Sequence, residues 1–539
     1  MRQTPNAQRQ DVAIVGGNKY GRYQKISSEQ TYNMFISDNW LINTAGFQRF
    51  YEVLPEGTEG RGIFVSIRGN ILIVVAGPGV YSFNTNLSPT LIGNLATETG
   101  EVFIDENLNS QICIVDGTNA YIYNYSLGAP NLTIQTGLGT LTPGFVTFHN
   151  TYFLFGNNDR TSNGSAWYAY QYATNTTITE ANPGQFALQT KPDYAIAVVR
   201  LPSQGANVLV FGTSVCEVWT QIGGLQNYRR NSTLSVDYGC TSTSTIVTND
   251  TYVVWLAENE NNAPIIMIYT GQGFEPVSTD GIDYQLSKIK FPSQSTAMFY
   301  RQDGHLFYQL TFYNPVDNIT ILYDLDTKIF LTLTDYELDY HPAREYAYFD
   351  NNMYFISLKN ASLYLSSTDF TTYNENIPGS TYDPEQEFDI PRIRVTDTIR
   401  STDSSQFRVN TFSFTMEQGC DPDVTGVSLA GPDFIITEAQ FSPPNAVIYT
   451  EYGIPIAEEG IYTDIYSNII PYQPRVDLTI SRDGGITWSN TVSRNLNPLG
   501  YRQNILNWDR MGSANSITFK LKFLSTSRVM AYNGFVEFC

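Results

Sequence analysis

One pattern recurs along most of the first 370 residues: a polar turn, a run of four to six strand-forming residues, a second turn and a second strand, often rich in aromatic residues. Its first instance begins at Gly69 and Asn70, runs through an apolar stretch over residues 71–75, and returns after a turn as residues 80–83. Such a hairpin cannot bury both faces alone, so each copy must stack against a neighbour.

The copies begin 40 to 57 residues apart, and their opening residues are Gly69, Asn109, His149, Ala206, Asn249, Asp303 and Asp350. A four-stranded propeller blade takes about 40–50 residues, and radial stacking of blades buries their faces and protects their edges. We therefore predict an all-β fold whose main part is a β-propeller of six blades, with seven as the alternative count. A set of β-sandwiches is the competing architecture, because regular turn spacing fits it as well.

The repeated hairpin pattern ends at about residue 381. Pro-rich loops follow, together with segments of alternating strand character at 408–416 and 476–480. We predict three regions: an N-terminal arm and first strand (1–60), the β-propeller (61–380) and an additional C-terminal all-β region (381–539). The last strands, at 517–523 and 534–538, could instead return to close the propeller. Residues 157–184 and much of 381–474 match no pattern that assigns them a role.

The composition is acidic and poor in cysteine. The 539 residues include 52 acidic and 31 basic side chains, for a formal net charge of -21, which disfavours binding to free nucleic acid. The five cysteines are far apart in the sequence: Cys113, Cys216, Cys240, Cys420 and Cys539. We therefore predict no disulfide framework and a reducing environment. The N-terminus has no signal-peptide core, and the longest apolar run, about residues 71–76, is too short for a membrane span.

The sharpest local motif is an Asp-box, Ser-x-Asp-x-Gly-x-Thr-Trp, formed by Ser481, Asp483, Gly485, Thr487 and Trp488. We interpret it as a structural hairpin turn, in which the aspartate accepts hydrogen bonds from turn amides and the tryptophan packs back over the turn. In sialidases and related propellers this box is structural and lies away from the catalytic centre.

Four acidic residues alternate along one stretch: Asp383, Glu385, Glu387 and Asp389. On a strand all four carboxylates would share one face, which would suit a divalent cation. The interpretation we favour is a solvated edge strand protected by its charge.

No catalytic constellation emerges from the sequence. The three histidines, His149, His305 and His341, lack zinc-site spacing, and no Walker loop, dinucleotide fingerprint or nucleophile elbow is present. We predict no catalytic residue, no metal and no cofactor.

Several stretches resemble the packaged-DNA stabilisation proteins of short-tailed, P22-like phages, and their order along the chain carries the resemblance. The opening Gln30-Thr-Tyr-Asn33-Met-Phe35 is similar to that family's opening. Further stretches similar to its blades and C-terminal signature lie at 62–64, 69–83, 209–212, 217–219, 237–240, 254–256, 277–279, 483–485, 488, 499–500 and 508–512.

This resemblance implies a structural virion protein without enzymatic activity, the tail hub or nozzle that extends the portal channel and retains packaged DNA. It implies a hexameric ring with a portal or adaptor protein above and a tail needle, fibres or tailspikes below. Double-stranded DNA would pass through the ring without sequence-specific binding, since acidic walls repel phosphate within a Debye length of about 8–10 Å. The expected location is the phage tail, after assembly in the bacterial host cytoplasm and without membrane insertion.

The Asp-box and the many aromatic residues support an alternative function, a carbohydrate-binding or sialidase-like propeller. That function requires a central pocket with clustered arginines and a Tyr/acid pair, whereas the arginines are scattered along this sequence. A scaffold propeller for cellular proteins is a third hypothesis.

Overall fold

The computed structural model describes residues 8–20, 28–53, 58–127, 131–161, 164–171, 184–202, 205–223, 227–261, 264–378, 380, 383–401, 405–418, 448–449, 455–456, 475–496, 504–525 and 528–538. The chain forms two compact units. The propeller unit comprises Gly46–Lys328 and Leu333–Glu387, and the sandwich unit comprises Met1–Ala45, Ile329–Thr332 and Phe388–Cys539.

The propeller unit has seven blades built mainly from antiparallel strands, and in blades 1 to 4 these strands follow one another outward from the centre. Blades 1 to 4 have four strands each. Their strands are Gly60–Ser66, Ile71–Ala76, Gly79–Phe83 and Pro89–Asn94 in blade 1; Phe103–Glu106, Gln111–Val115, Ala120–Asn124 and Thr133–Ile134 in blade 2; Pro143–His149, Tyr152–Asn157, Ala166–Gln171 and Gly184–Ala187 in blade 3; and Ala197–Arg200, Asn207–Phe211, Cys216–Gln221 and Tyr228–Val236 in blade 4.

Blades 5 to 7 depart from this plan at one strand each. Their strands are Gly239–Cys240, Val247–Thr248, Val253–Glu258, Ile265–Tyr269 and Phe274–Pro276 in blade 5; Ser295–Gln302, His305–Phe312 and Ile319–Asp324 in blade 6; and Ala343–Phe349, Asn352–Ser357, Ser362–Ser367, Gly46–Glu52 and Thr372–Asn374 in blade 7. Helical turns at Tyr125–Leu127, Thr243–Thr245 and Pro384–Gln386 and one α-helix, Asp280–Leu286, complete the described part of this unit.

The ring closes at blade 7. Its innermost strand, Ala343–Phe349, contacts that of blade 1, Gly60–Ser66. The N-terminal strand Gly46–Glu52 pairs antiparallel with Ser362–Ser367 and thereby supplies the strand that blade 7 lacks. The predicted propeller is confirmed, and it has seven blades, the alternative count.

Each repeat opening found in the sequence lies at the first turn of one blade. In blades 1, 2, 3, 6 and 7 this turn contains a residue with positive φ, namely Asn70 (49°), Ser110 (62°), Asn150 (56°), Asp303 (49°) and Asp350 (47°). Short polar side chains tolerate this left-handed backbone, which tight hairpins between twisted strands require. The geometry of these turns therefore explains why polar residues occur where the repeats begin.

The closing strand is fastened by aromatic packing. Phe47 is 3% exposed; it stacks on Tyr373 at 4.3 Å and meets Phe355 and Tyr364 edge-on at 5.3 Å each. His341 packs against the same cluster, and burial lowers its pKa to about 3, so it is neutral there. Such aromatic pairs add to the free energy gained by area burial alone.

The sandwich unit consists of two packed sheets. One sheet contains Met34–Ser37, Trp40–Asn43, Val529–Phe538, Phe407–Gln418, Asn504–Ala514 and Gln8–Val12. The other contains Ile329–Leu333, whose first four residues belong to this unit, with Ser28–Tyr32, Arg392–Val395, Ser516–Leu524, Arg475–Ser481, Val492–Asn495, Lys19–Tyr20 and Ile399–Arg400. Two further strands, Ile448–Tyr449 and Pro455–Ile456, pair with each other. The short strand Glu387–Asp389 belongs to the blade 7 sheet, next to Thr372–Asn374.

Both ends of the chain build this sandwich. Phe412 of one sheet stacks on Phe519 of the other at 4.3 Å, and the buried core draws on both sheets. The chain divides at residues 45 and 387, because Ser28–Tyr32 pairs with Arg392–Val395 and Trp40–Asn43 pairs with Val529–Phe538. The last strands, offered as an alternative closure of the propeller, lie in this unit, and Gly46–Glu52 takes the closing place.

Candidate functional site

A cavity of about 360 Å³ lies on the axis of the propeller and is lined by residues of all seven blades. Because side chains alternate along a strand, every second residue of an innermost strand points to the axis. Asp105 and Glu345 reach the cavity in this way from the innermost strands of blades 2 and 7, and Glu101, two residues before the blade 2 strand, also lines it. The site is therefore acidic.

The environment of these carboxyls favours their neutral form. Burial raises the pKa of Glu101 to about 7, while the charge of Arg344 opposes that shift. Burial also raises the pKa of Glu345 to about 8, and the negative charge of Glu101 adds to the rise. Both groups therefore exchange a proton near neutral pH.

Arg344 bridges neighbouring blades at one end of the cavity. The side chain is 1% exposed, and its two terminal nitrogens lie 3.4 Å from carboxylate oxygens of Glu59 and Glu101. Oε2 of Glu345 accepts a hydrogen bond from the Ile63 amide at 3.4 Å. This network joins blade 7 to blades 1 and 2, where the ring closes.

Asp105 fastens blade 2 to blade 3. Its Oδ2 accepts hydrogen bonds from the Thr147 hydroxyl at 3.0 Å and the Phe148 amide at 2.6 Å. Burial raises its pKa, and the charge of Arg200 opposes that shift. The cavity carboxyls thus hold blades together rather than projecting free into solvent.

No local sequence pattern marks these cavity residues. Glu101 and Glu345 stand 244 positions apart, and each is a single acid before or within an otherwise ordinary strand. Ring closure alone brings them to one cavity. Among the described residues that line it, Arg200 is the single arginine, so the cluster that a sialidase-like pocket requires is not assembled there.

The Asp-box lies in the connection between the sandwich strands Arg475–Ser481 and Val492–Asn495. Oδ1 of Asp483 accepts hydrogen bonds from the Ile486 amide at 3.0 Å and the Thr487 amide at 2.9 Å. The Ser481 hydroxyl accepts from the Gly485 amide at 2.7 Å. Hydrogen bonds from Ser481 and Thr487 hold the Asp483 pKa well below its usual range. Trp488 is half-buried, with the Lys520 ammonium 5.3 Å from its ring centroid.

The position of this motif matters for the alternative function. It lies in the sandwich unit rather than in a propeller blade, so it gives the propeller no sialidase-like feature.

The four alternating acids do not form one strand face. Asp383 precedes the 3-10 turn Pro384–Gln386, where its Oδ1 accepts a hydrogen bond from the Glu385 amide at 3.0 Å. The strand itself covers Glu387–Asp389. Regular alternation predicts a common face only on a continuous strand, and proline at position 384 starts a turn instead.

One other group of possible metal ligands exists in the described part of the chain, formed by His305, Asp324 and Asp326 in blade 6. Its oxygen atoms already accept hydrogen bonds: Asp324 from His305 and Thr327, and Asp326 from the Leu306 amide. These bonds tie a turn together. Of the remaining histidines, His149 contacts the Tyr228 hydroxyl at 2.8 Å.

Cys113, Cys216 and Cys240 are buried free thiols. Cys420, Cys539, the stretch at 499–500 and most of 172–183 and 419–474 lie outside the described residues. Across the described residues, no helix combines the length and the apolar character that crossing a membrane requires.

The sequence model of one protein family, described as bacteriophage P22 Gp10, beta-propeller, matches residues 26–367. No curated protein matches the chain. Similar solved structures include a streptogramin B lyase (TM-score 0.40, 12% identity, 60% of this chain and 98% of that one), virginiamycin B lyase from Staphylococcus aureus (0.40, 12%, 60% and 99%) and the WD40 domain of Doa1 (0.38, 9%, 60% and 97%).

Proposed function

The chain belongs to the bacteriophage P22 Gp10 beta-propeller family, a family of phage structural proteins, and from this premise we propose that it is the tail hub, or nozzle, of a short-tailed phage. In this role it extends the portal channel, retains packaged DNA and docks the distal tail components. The family match over residues 26–367 carries the proposal, because it spans the propeller and the strand Gly46–Glu52 that closes it.

The closed propeller suits a channel wall that must withstand the pressure of packaged DNA. Closing a propeller with a strand from the opposite end of its sequence joins the first and last blades by backbone hydrogen bonds. The buried Arg344 network reinforces the same junction near the axis. A wall built in this way resists opening when DNA under pressure pushes against it.

The charge of the chain supports passage of DNA. Six copies at -21 each would present a strongly acidic assembly, and like charge keeps a polyanion from adhering over a Debye length of about 8–10 Å. We propose that double-stranded DNA slides through the ring without sequence-specific contacts. The chain would act in the phage tail after assembly in the host cytoplasm.

The partners follow from the same role. We propose that the chain forms a hexameric ring. A portal or adaptor protein binds on one side of the ring, and a needle, fibres or tailspikes bind on the other. A closed ring needs a heterologous contact, in which two different patches of each copy meet.

Particles assembled without this chain test the proposal. We expect their DNA to become sensitive to nuclease and infectivity to fall, and the wild-type chain supplied in trans to restore both. A chain carrying Phe47→Asp, which places a charge in the closing cluster, should fail to restore them, whereas the exposed-site control Phe291→Asp should succeed. Particles that keep their DNA and infect normally without the chain would refute the proposal, and sugar binding by the purified chain would then favour the carbohydrate function.

A further inference from the structure

Two exposed apolar patches lie at opposite ends of blade 7 and its neighbours. The strand Ala343–Phe349 has seven residues and so spans roughly 20 Å. Arg344 and Glu345, at its start, contact Glu59, Glu101 and the Ile63 amide, so the innermost strands of blades 7, 1 and 2 begin at the same end. Their first turns accordingly gather at the other end.

The front patch lies at those first turns and comprises Ile67, Arg68, Leu108 and Tyr348. Ile67 is 89% exposed, Leu108 60% and Tyr348 67%, which places them among the most exposed large apolar side chains of the described residues. The Arg68 guanidinium donates a hydrogen bond to the Leu108 carbonyl, so the turns of blades 1 and 2 adjoin. Side chains this exposed on three consecutive blades indicate a contact surface.

The rear loop, residues 334–342, precedes the same strand and so lies at the opposite end. It presents Tyr336 at 41% and Leu338 at 51% exposure, with Glu337 exposed between them. Leu338 has a φ of 67°, a strained conformation for a bulky residue.

Hydrogen bonds and an ion pair to Asp335 hold the rear loop in one conformation. Oδ1 of Asp335 accepts hydrogen bonds from the amides of Glu337 at 2.9 Å and Asp339 at 2.8 Å. Lys359 reaches Oδ2 of Asp335 at 2.5 Å. A preordered loop loses little conformational entropy when it binds.

We propose that the front patch of one copy receives the rear loop of a second copy, with Arg68 opposite Glu337. The two surfaces match in character, since each has exposed apolar side chains around a charge of the opposite sign. They lie at different places on one chain, which is what a heterologous contact needs. The inference rests on the proposed ring and specifies which surfaces form it.

Charge reversal and rescue test this pairing. Light scattering after gel filtration would give the mass of wild type, Arg68→Glu, Glu337→Arg and the double variant, each alone and with portal complex. Each single reversal should weaken self-association about tenfold or more, and the double variant should recover it because the pair is restored with its signs exchanged. Arg229→Glu, at an exposed arginine on the outermost strand of blade 4, Tyr228–Val236, is the matched control and should associate as wild type.

As a fold control, each variant should unfold at the wild-type temperature in a thermal scan. Equal self-association of all variants would overturn the pairing of the two surfaces. A double variant that self-associates as weakly as the single variants would also overturn it. Neither outcome bears on the hub role. Loss of portal binding in Arg68→Glu with unchanged self-association would assign the front patch to the portal and also overturn the pairing. A wild-type chain that stays monomeric even with portal complex would refute both the pairing and the hub proposal.

Discussion

At the scale of single residues, the chain buries charge at two structural junctions. Glu345 and Arg344 lie where the propeller ring closes. In the sandwich unit, Arg394 is fully buried and contacts Glu29 at 2.6 Å. Its guanidinium also donates to the Gly17 and Ala13 carbonyls at 3.2 Å each, and so fastens the N-terminal segment to a C-terminal strand. Buried charges of this kind are tolerated only when paired.

The substitution Glu345→Gln should change how stability depends on pH. Burial raises the pKa of this carboxyl from 4.5 to about 8, so the folded chain keeps a proton that the unfolded chain has released. The stability contributed by Glu345 is therefore present below pH 4.5 and is lost as the pH rises through about 8. We expect the variant to exceed wild type by about 1–3 kcal/mol at pH 9 and to match it at pH 4.

Urea unfolding at several pH values measures this difference. Glu98→Gln, at an exposed position of the same unit, is the matched control and should follow the wild-type curve. A stability difference for Glu345→Gln that is constant from pH 4 to pH 9 would contradict the prediction.

Arg394→Met should destabilise the sandwich by about 3 kcal/mol, because it leaves the buried Glu29 carboxylate with the exposed Lys19 as its remaining ion-pair partner. Hydrogen exchange at Ser28–Tyr32 and Arg392–Val395 would report the loss locally. The control Arg475→Met removes a surface pair with Asp477 and should cost about 0–1 kcal/mol. Equal effects of the two substitutions would argue against a special role for the buried pair.

At the scale of elements, the strand Gly46–Glu52 determines whether the propeller is closed. It pairs antiparallel with Ser362–Ser367 and parallel with Thr372–Asn374. Its partners lie more than 300 positions away along the chain, so the entropy lost in closing this loop must be offset by specific packing. The aromatic cluster around Phe47 supplies that packing.

Phe47→Ala should therefore open the closing strand. We expect a loss of about 3–5 kcal/mol, the usual cost of truncating a buried phenylalanine, together with faster hydrogen exchange at Gly46–Glu52 and Ser362–Ser367. Phe291→Ala, at a side chain 44% exposed, serves as the control and should leave exchange in both strands at the wild-type rate. Unchanged protection of both strands in Phe47→Ala would show that other contacts hold the ring.

At the scale of the whole molecule, the propeller unit is inserted between the two ends of the sandwich unit. Three N-terminal strands, Ser28–Tyr32, Met34–Ser37 and Trp40–Asn43, belong to the sandwich, and the next strand, Gly46–Glu52, belongs to the propeller. A few residues after Asn43 thus separate the strands of one unit from the closing strand of the other.

Deleting residues 1–45 should separate these roles. We expect Arg392–Val395 and Val529–Phe538 to lose protection from hydrogen exchange at the amides that pair with the deleted strands. Their pairing with Ser516–Leu524 and Phe407–Gln418 remains, and blades 2 to 5 keep their protection. Extending the deletion to residue 52 should additionally expose Ser362–Ser367. Full protection of the sandwich after the shorter deletion would contradict the pairing described here.

Features that depend on local chemistry can be predicted from the amino-acid sequence. Polar turns with left-handed residues such as Asn70 and Asn150, followed by strand-forming runs, recur at blade spacing and so predict a propeller. The Asp-box turn was equally local, because the hydrogen bonds of the Asp483 carboxylate and the Ser481 hydroxyl join residues at most four positions apart.

Which strand closes the ring, and which ionisable groups share the axis, depends on the folded structure. Phe47 and Tyr373, or Glu101 and Glu345, are far apart in sequence, and neither position carries a periodic signal, because each partner also suits an ordinary strand. The same holds for the alternating acids, where proline at 384 starts a turn and divides the expected face. Long-range pairing is selected by the free energy of packing in the closed fold, and a linear pattern of residue types does not contain that quantity.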